Sequence, residues 1–366
     1  MPADRPRTLR DVAAELGVSA KTVSNAFSRP DQLSPQLRER VLDTARRLGY
    51  PGPNPLAAGL RRGRVGAIGV AYDNGLSYAF DDPVALALLA GASAVAEPAG
   101  AGLLLVPGST DARRRLAAVH GAVVDGLVVC SLGDDDPLLA AATARGLPLA
   151  VVDQPRPARL AELGAPGTPW VGVDDRAAAA GVAEHLLALG HRRIAVVSFG
   201  MHAEPIERGL AGAGVQDAAT YAVTRDRLAG YRDAVERAGL DWSAVPVWHG
   251  EDSTPDVGAA GAEAVLGLSP APTALLCLSD RLAEGALAVA ARRGLRVPED
   301  LSVAGFDDAA PAAGLGLTTV RQPVREKGRA AAAALLDAIA GRPAPPPLTL
   351  PTELVVRATT GLPPED

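Results

Sequence analysis

The chain has 366 residues, 48% of them hydrophobic, and a formal net charge of −6. That length exceeds one small domain at roughly 100–200 residues each, and no apolar run reaches the ~18 residues of a membrane-spanning helix. The charged start, Met1 to Arg10, lacks an apolar signal segment, so a cytoplasmic location is expected. Charge is segregated: residues 1–64 hold 12 basic and 6 acidic side chains, leaving 24 and 36 for the rest. A small basic head on a large acidic body suggests that the head alone meets a polyanion. Cys130 and Cys277 lie inside apolar runs and read as buried reduced thiols, with little to support a disulfide or a metal site.

Taken in chain order, residues 8–27 read TLRDVAAELGVSAKTVSNAF. Thr8 is placed to cap a first helix whose buried face is Leu9, Val12, Ala13 and Leu16. Gly17 marks a sharp turn, Val18 plugs the core, and Ser19 caps a second helix with Val23 and Ala26 inward. A third helix, Ser34 to Leu48, turns Val41, Leu42, Ala45 and Leu48 to the same core. In a helix-turn-helix the second helix enters the major groove. Its outward residues are Ala20, Lys21, Thr22, Ser24 and Asn25. Lysine can donate to guanine and asparagine can pair with adenine. The hydroxyls of Thr8, Ser19, Thr22 and Ser24 suit phosphate oxygens. A generic three-helix unit that binds protein is the alternative.

Pro51, Pro53 and Pro55 punctuate the chain after Tyr50. Asn54 and Pro55 then open a short helical segment with Leu56, Ala57 and Leu60 on one face. About seven residues do not hold a helix alone in water, so this segment needs a partner or remains a linker. Two copies meeting over a minor groove would supply the partner. Leu60 would then wedge between base steps, with Ala57 beside it and Arg61, Arg62 and Arg64 near phosphates.

From residue 65 onward, short apolar runs alternate with longer Ala- and Leu-rich helical stretches. The expected strands are 65–72, 102–108, 126–132, 148–153, 193–199, 245–250, 274–279 and 301–306, with helices such as 82–97 and 176–190 between them. A Pro-rich stretch at 342–347 precedes a last expected strand at 353–358. This alternation predicts an α/β body with parallel sheets covered on both faces. About 300 residues exceed one comfortable sheet, so two lobes are expected.

Residues 8–60 resemble the head and hinge of the lactose-repressor (LacI) family, through TLRDVAAELGVSAKTVS, LSPQLRERVLDTARRLGY and PNPLAAGL. The body is similar at VGAIGV (65–70), VDGLVV (124–129), LGHRRIAVV (189–197), RLAGY (227–231), LSDRLAEGAL (278–287), VPEDLSVAGFDD (297–308) and TTVRQP (318–323). The resemblance implies a helix-turn-helix head at 1–50, a hinge at 51–64 and an effector-binding, dimerising body at 65–366. That body would be periplasmic-binding-protein-like, with one lobe from 65–172 and 322–349 and a second from 173–321 and 350–366. It implies a homodimer on a palindromic double-stranded DNA operator, released or retained by a small effector such as a sugar. Release is favoured over corepression, but the sequence does not set the sign. By the same resemblance Ala20, Lys21 and Asn25 read bases and Leu60 is the minor-groove wedge. Two departures stand out. Gly59 loosens the hinge helix by roughly 1 kcal/mol against Ala, and Ala20 offers only a methyl group to the groove.

The resemblance also places an effector cleft. Arg227 matches the family's ligand-clamping arginine, and a guanidinium fork suits hydroxyls or carboxylates. Asp280 lies past a strand's carboxyl end, where open α/β sheets bind ligands. Asp153 and Gln322 match further cleft positions. Tyr78 and Phe80, in the loop after the first strand, are candidates to stack on a sugar or base ring. For each of these residues a salt bridge or loop packing is the plainer reading. Asp307 and Asp308 are read as a strand-end motif, and His185 and His191 as capping or surface residues. No cofactor is implied. The rival reading is a non-DNA-binding cytoplasmic sugar-binding or enzymatic α/β protein. No phosphate loop or histidine cluster supports it.

Overall fold

The structure, a computed structural model of the chain, describes residues 7–52, 64–72, 74–108, 111–202 and 206–365. It divides into two compact units, Met1–Gly66 and Ala67–Asp366. The expected hinge contacts of Ala57 and Leu60, with Asn54, Pro55, Leu56, Gly59, Arg61 and Arg62, lie outside the described residues.

Among the described residues of the first unit there are three α-helices: α1 (Leu9–Leu16), α2 (Ala20–Ser28) and α3 (Pro35–Arg47). The Thr8 backbone N and hydroxyl both donate to Asp11, at 2.7 and 2.8 Å, closing the first turn of α1. Gly17, at φ 65°, takes the left-handed conformation that ends α1, and such a backbone is cheap only for glycine. Ser19 Oγ then accepts from the Thr22 backbone N at 3.0 Å and starts α2. Val12, Val23, Ala26 and Val41 are fully buried between the helices. Each such valine contributes roughly 1.5 kcal/mol or more by leaving water. Leu9, Leu16, Val18 and Leu48 pack half-buried around them.

The second unit holds two sheets. Strands β1 (Ala67–Tyr72), β2 (Gly102–Val106), β3 (Leu127–Cys130), β4 (Leu149–Val152) and β5 (Trp170–Val173) join β12 (Leu348–Leu350) in one parallel sheet ordered β12-β5-β4-β3-β1-β2. Strands β6 (Ile194–Ser198), β7 (Gly209–Leu210), β8 (Val247–His249), β9 (Ala274–Cys277) and β10 (Ser302–Ala304) form a second, ordered β10-β9-β6-β8-β7, in which only β7 is antiparallel. The central strands are buried along their whole length. Helices covering both faces of a parallel sheet require such continuous apolar runs. The edge strand β2 alternates exposed and half-buried residues instead. A two-stranded antiparallel ribbon, β11 (Thr319–Arg321) with β13 (Glu353–Val355), lies where the chain passes between the sheets.

Every strand expected in the sequence is present within a residue or three of its expected ends. Four others, β5, β7, β11 and β12, are not expected from the sequence.

Helix pairs over the sheets meet at glycines. A Cβ on Gly91 would strike the Arg325 carbonyl, and one on Gly328 the Leu88 carbonyl. In the second sheet's layer, Gly258 faces the Leu282 carbonyl and Gly285 the Pro255 carbonyl in the same way. Backbones in these seams touch directly, which no larger residue permits.

Candidate functional sites

On α2 the buried residues are Val23 and Ala26, so Ala20, Lys21, Ser24 and Asn25 lie on the opposite, solvent side by helical spacing. Ala20 and Lys21 are exposed. Three of the four hydroxyls expected at phosphates, those of Thr8, Ser19 and Thr22, are locally engaged. Ser19 Oγ and Thr22 Oγ1 stand 2.8 Å apart, and the Thr8 hydroxyl is held by Asp11. Asn25 Nδ2 donates to Gln32 Oε1 at 3.1 Å.

In the body, a continuous chain of polar contacts, buried at its centre and half-buried at Asp153, Arg156 and Asp226, links the two sheets. It begins at Asp153, just past β4, whose Oδ1 accepts from Lys327 Nζ at 2.6 Å. Lys327 also donates to Gln322 Oε1. Gln322 Nε2 donates to Asp307 Oδ1 at 2.6 Å. Arg227 Nη1 lies 3.7 Å from that carboxylate and donates to the Leu278 carbonyl at 2.5 Å. Arg227 Nε donates to Asp175 at 2.9 Å. Arg156 then bridges Asp175 and Asp226, at 2.8 and 2.6 Å. At Lys327, Arg227 and Arg156 the direction is set, because lysine and arginine only donate. Gln322 alone can do both, so its amide joins the lysine to the aspartate.

Asp153 and Asp307 lie just past the carboxyl ends of strands and Asp175 opens the helix after β5, while Asp226 lies within the helix Ala222–Arg237. Asp307 follows β10 with φ 122°, and Asp153 follows β4 with φ 61°. Such left-handed backbones are unusual for residues other than glycine and mark constrained sites. Burial pushes Asp175 up, but Arg227, Lys327 and Arg156 outweigh it and hold the carboxyl below its ordinary value. Burial raises Asp307 well above the ordinary range; Arg227 opposes this, while Asp280 and Asp82 reinforce it. An open crevice of about 490 Å³ lies beside Gln322 and Asp307, walled by Pro83, Val84, Arg321 and Arg325. A larger one, about 570 Å³, is lined by Arg193 and Thr273, just before β6 and β9 and so at the opposite ends of the strands.

The two sheets' loops are bridged on both sides of this chain. Asn74 Nδ2 donates to Asp252 at 3.2 Å, and the Tyr78 hydroxyl to the Ser253 carbonyl at 3.3 Å. On the other side Arg225 donates to Asp134 at 2.9 Å and the Val223 backbone N to Gln154 at 2.8 Å.

Among the expected effector residues, Arg227, Asp153 and Gln322 thus come together. Asp280 is nearby but committed elsewhere. Its Oδ1 accepts from the Thr319 hydroxyl at 2.5 Å and its Oδ2 from the Ala309 backbone N at 2.7 Å. Burial raises its pKa to about 7, against the lowering hydrogen bonds of Thr319 and Ala309. Tyr78 and Phe80 lie on a short helix, Leu76–Asp81, not in a loop. Two residues apart on a helix they face different ways: Tyr78 is half-buried, with the Arg281 guanidinium 5.4 Å from its ring centroid, while Phe80 is 56% exposed.

Five members are not foreseen in the sequence: Asp307 is read there as part of a strand-end motif, and Lys327, Asp175, Arg156 and Asp226 are not singled out. A signal for Lys327 exists. It sits on the buried stripe Val324, Lys327, Gly328, Ala331, Ala332, Leu335, at helical spacing where an unpartnered charge would be costly.

The histidines also correct the sequence reading. His191 is fully buried, not a surface or capping residue. Its Nδ1 meets the Thr273 hydroxyl at 2.9 Å, and its Nε2 meets the Ser302 hydroxyl and the Gly361 carbonyl at 3.0 Å. His185 Nε2 meets the Thr360 hydroxyl at 2.9 Å. Together they clasp the C-terminal segment.

With this geometry in hand, the comparisons with known proteins agree on one class. The model of bacterial regulatory proteins of the lacI family matches residues 8–54, and that of the periplasmic binding protein-like domain matches residues 183–360. An HTH-type transcriptional regulator of Mycolicibacterium smegmatis is 43% identical, covering 98% of each chain. Among solved structures, the CelR–cellobiose complex is 30% identical with TM-score 0.68, over 96% of this chain and 99% of that one. The lac repressor dimer bound to operator and the anti-inducer ONPF is 28% identical with TM-score 0.74, over 98% and 100%. The chain belongs to the lacI family of bacterial regulatory proteins. It is a helix-turn-helix transcriptional regulator with a periplasmic-binding-protein-like body, and not an enzyme. Among the described residues no helix is long and apolar enough to cross a membrane.

Proposed function

We propose that this regulator is a cytoplasmic repressor that binds a palindromic operator as a dimer and is controlled by a small hydroxylated effector. The related CelR is seen with cellobiose, and the lac repressor as a dimer on its operator. Those assemblies are the basis for giving this chain a sugar-like effector and a DNA-bound dimer. Ala20, Lys21 and Asn25 read bases, and Thr8, Ser19, Thr22 and Ser24 meet phosphates. Ala57 and Leu60 serve the minor groove from a hinge at 51–64. The lobes are 65–172 with 322–349, and 173–321 with 350–366.

The observation that carries the switching role is the polar chain from Asp153 to Asp226, which runs from one sheet's strand ends to the other's. A ligand hydroxyl inserted among Arg227, Asp307 and Asp153 would exchange hydrogen bonds with both sheets at once. Asp307 joins Arg227, Asp153 and Gln322 in the effector set. Asp280 instead serves as a bracing residue, since Thr319 and Ala309 occupy its oxygens. Tyr78 serves at the cleft rim. Differential binding of effector to one arrangement of the lobes would shift the DNA-bound population.

Selective enrichment of genomic fragments by the purified protein at physiological salt tests the reading. A specific binder exceeds its own non-specific binding by ~10³–10⁷-fold, so one palindromic site should dominate. A panel of monosaccharides, disaccharides and cyclic polyols is then scored for release or tighter binding of that site. Retention of fragments without a shared sequence would sink the repressor assignment. A shared site whose affinity no member of the panel changes, by release or by tightening, would sink the hydroxylated effector.

A further inference from the structure

Nothing in the sequence singled out Gln32. It lies in the one-turn 3-10 segment Pro30–Gln32 between α2 and α3, exposed to solvent and outside the head core. Its amide nonetheless meets Asn25, seven residues back, at 3.1 Å. The backbone that carries it is fixed. Arg29 N donates to the Asn25 carbonyl at 2.9 Å, Gln32 N to the Arg29 carbonyl at 3.0 Å, and Leu33 N to the Pro30 carbonyl at 3.4 Å. Arg38 Nε donates to the Ala26 carbonyl at 3.3 Å, tying α3 to the end of α2. Gln32 is therefore presented to Asn25 by a braced turn.

We propose that Gln32 is a positioning residue for base reading, holding the Asn25 amide in the single orientation that pairs with adenine. This rests on the reading of the head as an operator binder. An asparagine amide has a donor end and an acceptor end. Adenine in the major groove offers the reverse pair, an N6 donor and an N7 acceptor. Rotating the amide by half a turn would match neither. In the structure one Asn25 N–H donates to Gln32 Oε1, which sets one of the two orientations. The second N–H then remains for N7 and Oδ1 for N6. A concerted flip of both amides would set the other orientation, and Gln32→Glu, which as a carboxylate only accepts, separates the two. In free solution water competes with an exposed bond of this kind. Against DNA the water is excluded and the orientation bears directly on which base is accepted.

The test is selection from a randomised duplex library by the full-length protein, for wild type, Gln32→Ala, Gln32→Glu, Asn25→Ala and the double variant. Wild type should yield a palindrome with an adenine preference at one position per half-site that Asn25→Ala erases. Gln32→Ala should lose discrimination at that same position, on the order of 5-fold or more, and keep it elsewhere. Gln32→Glu retains an acceptor for Asn25 Nδ2, so it should keep the preference while binding all duplexes more weakly through its added negative charge. The double variant should match Asn25→Ala, because the effect of Gln32 passes through Asn25. Equal melting temperatures for wild type and Gln32→Ala are expected. If Gln32→Ala keeps every base preference, or loses affinity equally at all positions, the inference is overturned while the operator-binding reading stands. A wild-type library without any shared sequence overturns both.

Discussion

Arg227 lies over Phe306, its Cζ 3.6 Å from the ring centroid, and this brings Nη1 to 3.7 Å from the carboxylate of the next residue, Asp307. The arginine is 4% exposed, so it has exchanged water for two carboxylates, a backbone carbonyl and an aromatic face. Removing one partner from a buried ion pair strands the others. Arg227→Ala should lower unfolding stability by about 3–5 kcal/mol, read as a drop in the urea midpoint at unchanged slope. A variant that unfolds like wild type would show that the polar chain adds nothing to stability.

Lys327 supplies the donor shared by Asp153 and Gln322. Lys327→Met keeps the volume and removes the charge, leaving two buried acceptors short. A loss of about 3 kcal/mol is expected. Because Asp153 is the stranded charge, Asp153→Asn in the Lys327→Met background should recover part of that loss. The double-mutant cycle in urea measures the coupling, and strict additivity would count against a direct interaction.

Asp280 is buried and its pKa is raised to about 7 from an ordinary value of 3.8. The folded state thus favours the protonated acid. Its contribution is fully present below about pH 4 and is lost as pH rises toward about 7. Asp280→Asn retains an oxygen for the Ala309 N–H and does not ionise. It should be more stable than wild type at pH 7.5, on the order of 2 kcal/mol, with the gain gone at pH 4. A gain that does not vary with pH would refute this assignment.

His191 has the opposite sign. Burial lowers its pKa, with the Gly361 carbonyl opposing and His185 reinforcing, and burial lowers His185 as well. A depressed histidine contributes stability that is present above its unfolded value of 6.5 and lost as pH falls below it. Between pH 7.5 and 5.5 the urea midpoint of wild type should fall relative to that of His191→Gln. Because Asp280 gains over part of the same interval, the comparison is best made in the Asp280→Asn background.

Much of the architecture was readable because it depends on local rules. Gly17 between two amphipathic segments required a left-handed turn, and runs such as Leu127–Cys130 read as doubly buried strands. The site was less readable because it is assembled by direction rather than by type. Asp307 and Asp308 are identical and adjacent, yet only Asp307 joins Arg227 and Gln322, while Asp308 turns to Arg321 and Arg357. Backbone φ values of 122° and 50° separate them, and no sequence pattern encodes that. Asp280 shows the converse: a residue in a ligand-facing position whose oxygens are taken by Thr319 and the Ala309 amide. In Lys327 the clue was present, as a charge on an apolar stripe.

The glycine seams carry a consequence for how information leaves the body. Where Gly91 meets the Arg325 carbonyl and Gly258 the Leu282 carbonyl, paired helices have no side chain to rotate or compress at the point of closest approach. Neither layer can absorb a disturbance by repacking, so each must travel as a block. Whatever happens among Arg227, Asp307 and Lys327 is then expressed as a change of angle at the thin connections, above all the ribbon of Thr319–Arg321 with Glu353–Val355. Substitutions at Leu354 and Val355, on the strand of that ribbon away from the crevice, would alter the gearing between binding and response while leaving both the ligand contacts and the reading helix untouched.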